Sequence, residues 1–211
     1  MIARCCTEPS NTFLYINDDP DESGVCEAML VDASCDPASL KGLCSRKNAL
    51  IKYIVLTHGH YDHVTSFRAL REEFPEAVTI CHKNENATLT DIEANVSELF
   101  EDPQTFPECE KTVDEGDEIV LHGVRNNVTF KVFHTPGHTP GCICLYNEDE
   151  KFIFTGDTVF ADGGVGRTDF KGGSTYVLNQ SLERLSHLDD DVTILPGHGR
   201  PSTIGDELYF F

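Results

Sequence analysis

The chain has 211 residues, with 16 Lys and Arg against 36 Asp and Glu, a formal net charge of −20. At 39% apolar and 25% charged residues it has the composition of a globular protein, not of a disordered or fibrous chain. With no linker or repeat to divide it, a single α/β domain over 1–211 is expected from the strand and helix pattern. An acidic body without a basic stripe excludes nucleic acid, no apolar run of about 18 residues suggests a membrane span, and the opening MIARCCTEPSNTF lacks the apolar core of a secretory signal, so a cytoplasmic protein is expected.

In chain order, β-branched and aromatic runs bounded by Gly, Pro, Asn and Asp predict strands at 12–16, 27–32, 51–57 and 77–81. More follow at 118–122, 128–134, 142–147, 151–157 and 192–196. Helical patterning falls at 36–47, where Asp36 is a candidate cap with Pro37 in the first helical position, and at 64–74 and 90–100. A last helix is expected at 174–188, with Ser174 as cap and Leu178, Leu182 and Leu185 at helical spacing. Many strands with interspersed helices predict a layered domain, two sheets inside and helices outside. The nine cysteines are odd in number and include no C-x-x-C pair, so they are read as free thiols, several serving as small core hydrophobes. Cys142 and Cys144, two apart, face one side of a strand.

The histidines carry the sharpest signal. In THGHYDH, directly after the 51–57 strand, His58, His60, Asp62 and His63 place four ligand-type side chains within six residues. Alternate positions converge from a loop, Gly59 is expected to let the backbone turn tightly, and His63 opens the next helix and aims elsewhere. Imidazole and carboxylate suit Zn, Fe or Mn. His138 in HTPGHTPG follows the 128–134 strand, His198 in LPGHG follows the 192–196 strand, and Asp157 in FIFTGDT leaves the 151–157 strand. Each alone reads as a turn residue; together with the first motif they read as a metal centre. His82, His122, His134 and His187 lack motif support and are read as surface or strand-face residues.

In this order THGHYDH, GHTPG, FTGDT and PGHG resemble the metallo-β-lactamase fold superfamily, and within it the short, single-domain hydrolases of the glyoxalase II (hydroxyacylglutathione hydrolase) type. The stretches GDTVFADGGVGRTDF and LPGHGRPSTIGDE are similar to that branch. The resemblance implies an αββα sandwich of two mixed sheets flanked by helices. It also implies two divalent ions, Zn before Fe or Mn: His58, His60 and His138 on one, Asp62, His63 and His198 on the other, and Asp157 bridging. Asp32 matches an acidic position that supports the histidine loop by hydrogen bonding; its alternative is a strand-end turn residue. Arg167, in GVGRTD, matches a basic position contacting the thiol carrier's carboxylate; its alternative is a structural pair with Asp169.

The implied chemistry is attack of a metal-bound water on an acyl carbonyl, the metals lowering that water's pKa to about 7, with Asp62 a possible proton acceptor or donor. No spare general acid stands beside the ligands, and a thiolate leaves unprotonated more readily than an amine. The expected substrate is therefore a small acyl-thiol, S-D-lactoylglutathione or a relative. Thirteen residues follow His198, so the helical, glutathione-binding C-terminal domain of longer relatives is expected to be missing. Two rivals stand beside this: a mononuclear-iron persulfide dioxygenase of the same fold, using His58, His138 and Asp157 alone, and a non-catalytic binding module.

Overall fold

A computed structural model describes residues 1–209. The first sheet has strands β1 (Ile2–Cys6), β2 (Thr12–Ile16), β3 (Cys26–Val31), β4 (Ala49–Val55), β5 (Val78–His82) and β6 (Lys111–Val113), side by side in chain order. The second has β7 (Glu118–Leu121), β8 (Val128–His134), β9 (Ile143–Asn147), β10 (Phe152–Gly156), β11 (Thr193–Pro196) and β12 (Ser202–Thr203), again neighbouring in order. Both sheets are mixed. β3 to β6 pair in parallel behind an antiparallel β1–β2–β3, and β10 and β11 are the one parallel pair of the other sheet.

Strand alternation builds the layers. Phe13 and Tyr15 on β2, with Met29 and Val31 on β3, point into the space between the sheets and meet Phe130, Val132, Leu145, Phe152 and Phe154. Leu14, Ile16, Leu30 and Ile54 point the other way, onto Leu40 and Cys44 of α1 (Pro37–Lys47) and Phe67 and Leu70 of α3 (Phe67–Glu73). On the far side Cys144, Ile153 and Ile194 carry Leu178, Leu182 and Leu185 of α5 (Thr175–Leu185). The order is helix, sheet, sheet, helix, as the sequence implied. Both sheets are covered on both faces, which is why β2 and β10 are buried at every position. The Asp36 side chain caps α1 by accepting the Ser39 N–H, and Ser174 caps α5 by accepting that of Val177.

The differences from the sequence expectation are local. The expected helix at 90–100 is absent. Instead α4 (Asn86–Leu89) gives way to turns and a 3-10 turn at Ser97–Phe100, with Val96 and Glu101 in the left-handed region at φ 58° and 59°. Side chains organise this segment against a helix: Asp91 accepts the Glu93 and Ala94 N–H groups, and Asn95 bonds Leu89 O, Gln104 O and Ser97 N. The 64–74 helix divides into α2 (Tyr61–Val64) and α3, and the last long helix stops at Leu185. β1, β6, β12 and α6 (Ile204–Glu207) were not expected. All nine cysteines are free thiols and six are buried. Among the described residues no helix is long and apolar enough to cross a membrane.

Candidate metal centre

Topology brings the motifs to one edge. β3, β4 and β5 run parallel, so Asp32, His58 and Glu85 all follow carboxyl ends on the same side. β8 and β10 each run antiparallel to the β9 between them, so His138 and Asp157 leave in a common direction, joined by His198 after the parallel β11. The edges are tied together: Ile143 N donates to Thr57 O at 2.9 Å, and Asn11 N to Gly197 O at 2.7 Å.

His58, His60 and His138 converge as one group and Asp62, His63 and His198 as another, while Asp157 reaches both. The Asp157 carboxylate lies 3.1 Å from His63 Nε2 and 3.5 Å from both His138 Nε2 and His198 Nε2. His198 Nε2 is 3.1 Å from Asp62 Oδ2. Outer contacts orient the rings. His138 Nδ1 donates to Arg167 O at 2.6 Å, and His63 Nδ1 donates to Asp32 Oδ2 at 2.7 Å, leaving both Nε2 atoms for the centre. Asp32 also accepts the Thr57 N–H at 2.8 Å and the Thr57 hydroxyl, with its backbone at φ 63°. It therefore braces the first motif, where the alternative was a simple turn residue.

The site fits a cation. His58 Nε2 and His60 Nε2 are buried without any hydrogen-bond partner, and Asp157 Oδ1 faces His63 Nε2 at 3.1 Å. Two pairs of imidazole nitrogens stand 2.8 Å (His60, His138) and 3.3 Å (His63, His198) apart, spacings that repel unless a proton or a cation lies between. Protonation divides the site in two. Burial pushes His58, His60 and His138 down, His60 to about 3, so these rings are neutral and free to ligate. Burial acts the same way on His63 and His198, but Asp157 with Asp32 raises the first and Asp157 with Asp62 lifts the second to about 9. Those two imidazoles hold protons that a metal would replace.

Gly59 departs from the expectation of a tight turn. Its φ is ordinary, and what it supplies is space: a Cβ there would come within 3.2 Å of Leu89 and Thr88. Gly166 likewise lets the 160s loop pass His138, where a Cβ would meet its ring at 2.9 Å. Arg167 reaches the cavity over the centre, yet its guanidinium grips Asp169 at 2.6 and 2.7 Å and lies 3.9 Å over the Phe170 ring.

One residue carried no motif. Glu85, fully buried after β5, accepts the Gly59 N–H at 2.8 Å and the Thr139 hydroxyl at 3.0 Å, linking the two main histidine loops. Burial pushes its carboxyl up, against bonds from Gly59, Thr139, Thr88 and Gly141. The only sequence signal was its place just past a strand end, shared with every other site residue. Away from the centre, His82 is buried and stacks on His134 at 3.8 Å beside Asp114, where the sequence suggested a surface or strand-face residue; Lys83 already pairs with that carboxylate.

Residues 11–198 match the family model of the metallo-beta-lactamase superfamily. The hydroxyacylglutathione hydrolase GloC of Haemophilus influenzae is 37% identical over 166 residues, 74% of this chain and 73% of that protein. An uncharacterized Mycobacterium tuberculosis protein is 33% identical over 200 residues, 87% and 85% of the two chains. Among solved structures, the B3 metallo-beta-lactamase BLEG-1 superposes with a TM-score of 0.84 at 29% identity, covering 98% of this chain and 95% of that one. TTHA1623, solved in a di-iron-bound form, gives 0.79 at 25% identity with 99% and 100% coverage. ETHE1 from Myxococcus xanthus gives 0.72 at 26% with 97% and 80%. With its strand-end histidine loops and matching fold, the chain belongs to the metallo-beta-lactamase superfamily.

Proposed function

We propose that this protein is a metal-dependent thioester hydrolase of the hydroxyacylglutathione hydrolase kind, acting in the cytoplasm on S-D-lactoylglutathione or a related small acyl-thiol. The observation that carries the reading is the placement of Asp157 between two complete ligand groups. His58, His60 and His138 would hold one divalent ion and Asp62, His63 and His198 the other, with Asp157 shared. The donor set of imidazole and carboxylate suits Zn, and equally Fe or Mn; the di-iron-bound form of TTHA1623 supports a pair. Bound there, such ions acidify water and polarise a carbonyl.

The protein's own groups do the rest. Burial of His58, His60 and His138 excludes bulk water from one side of the centre. Asp62 Oδ2, 3.1 Å from His198 Nε2, would serve both as a ligand and as the carboxylate that takes and returns a proton. No further acid is needed to expel a thiolate. The name of the Haemophilus relative favours the same bond. A dioxygenase needing only His58, His138 and Asp157 leaves Asp62, His63 and His198 gathered without a task, and a non-catalytic module leaves the whole ligand set without one.

The test is thiol release from S-lactoylglutathione under nitrogen by metal-loaded protein. Turnover without oxygen supports the hydrolase. Oxygen consumption with glutathione persulfide and no thiol release contradicts it.

A further inference from the structure

Beside the ligand groups lies a cavity of about 480 Å³, within the size range of small-molecule sites. His60, Asp62, His138, Asp157 and His198 form one end, and the remaining wall is mostly apolar, with Val96, Leu99, Phe100, Phe160, Val165 and Phe170 beside the one charged side chain, Arg167. An aromatic edge flanks each ligand group, Phe170 against His60 at 5.7 Å and Phe160 against His198 at 5.8 Å. On the lip, Leu99, Phe100 and Val165 are 61%, 50% and 43% exposed. A single exposed apolar side chain is ordinary; three converging on one cavity form a surface that an apolar group would cover.

The one Arg or Lys in the wall of this cavity, Arg167, is already paired. Arg167 donates from Nε and Nη2 to the two carboxylate oxygens of Asp169. Outside the wall, Lys171, one residue past Phe170, pairs with Asp91 and Glu93 at 2.7 and 3.0 Å, and Arg200 pairs with Asp162 at 2.6 Å. A dicarboxylate carrier using Arg167 would compete with Asp169, in a chain of net charge −20. An uncharged chain has only to displace water.

Resting on the thioester reading above, we infer that this cavity is an apolar acyl subsite, and that the preferred substrate is an aliphatic or aryl acyl-thioester with little charge rather than S-lactoylglutathione. With the carbonyl at the ligand end, the acyl chain lies between the 3-10 turn carrying Leu99 and Phe100 and the segment carrying Phe160 and Val165. Each methylene covered there contributes roughly fourfold in affinity.

The test compares acetyl and hexanoyl thioesters of the uncharged thiol N-acetylcysteamine, with S-lactoylglutathione alongside, on metal-loaded protein. The hexanoyl compound is expected to exceed both others in kcat/KM by at least tenfold, and Leu99→Ser, at an exposed position, to shrink the hexanoyl-to-acetyl ratio several-fold. A flat chain-length series, or S-lactoylglutathione as the best substrate, overturns the subsite while leaving the hydrolase reading intact. Absence of all thioester turnover removes the hydrolase reading instead. Calorimetric binding of hexyl and methyl thioethers of the same thiol then decides the subsite on its own: tighter hexyl binding sustains it, and equal binding overturns it.

Discussion

The Glu85 carboxyl group accepts the Gly59 N–H at 2.8 Å, so a side chain buried behind the centre fixes the backbone between two of its histidines. The same group accepts the Thr139 hydroxyl beside His138. Glu85→Gln puts an amide donor against some of these donors. The expected result is a folded protein less stable by about 1–3 kcal/mol, with metal affinity lower by about 10–100-fold. Denaturant titration and chelator competition read the two quantities; unchanged metal affinity removes the bracing role.

Asp32 is a narrower case, since it touches only one ligand, His63, at 2.7 Å. Asp32→Ala leaves the His63 ring free to turn and the Thr57 N–H without its acceptor. Metal should be lost from the Asp62, His63 and His198 group by about 10–100-fold in affinity while the other group keeps its ion. Stoichiometry after gel filtration should fall toward one, and full retention of both ions contradicts this account.

These two residues mark how far the sequence could be read. Ligand-type side chains are dense and follow β-type runs, so His58, His60, Asp62, His63, His138, Asp157 and His198 stand out from chemistry and spacing alone. Period-two alternation on β2, with Phe13 and Tyr15 facing one way and Leu14 and Ile16 the other, likewise made the sheets legible. Glu85 sits in a polar stretch, and nothing local tells a solvated glutamate from one whose partners come from loops 26 and 54 residues away. The 90–100 segment misled for a related reason: the Asp91 and Asn95 side chains take backbone bonds that a helix would need.

Arg167 provides a test of charge around the cavity. Its pairing with Asp169 and its place over Phe170 direct it to its own loop. Arg167→Ala should therefore change KM for S-lactoylglutathione by less than about threefold, which is below 1 kcal/mol of transition-state binding. A tenfold rise in KM with kcat preserved would restore the carboxylate clamp.

The core between the sheets gives a stability prediction independent of any ion. Phe130 is fully buried and touches Tyr15 edge-on with ring centroids 5.0 Å apart. Phe130→Ala should cost about 3–5 kcal/mol, measured by urea unfolding in the presence of chelator. A loss under about 1 kcal/mol would mean that the two sheets are not packed through this ring.

Acid should loosen one specific tie between the sheets. Asp19, just past β2, is bonded by the Arg125 side chain and by the Asn126 and Arg125 N–H groups, which hold its carboxyl below the usual range. A lowered folded-state pKa gives a contribution that is complete above the ordinary carboxylate pKa and lost as pH falls through the lowered value. Asp19→Asn should flatten the acid limb of the stability profile. An identical limb in the variant removes Asp19 as a source of it.

The most direct measurement is the metal content of protein reconstituted with excess zinc and then desalted. Two equivalents per chain are expected, falling to at most one in a His198→Ala variant that remains folded. A single equivalent in the unaltered protein, unaffected by loss of His198, would contradict a shared Asp157 and the binuclear chemistry built on it.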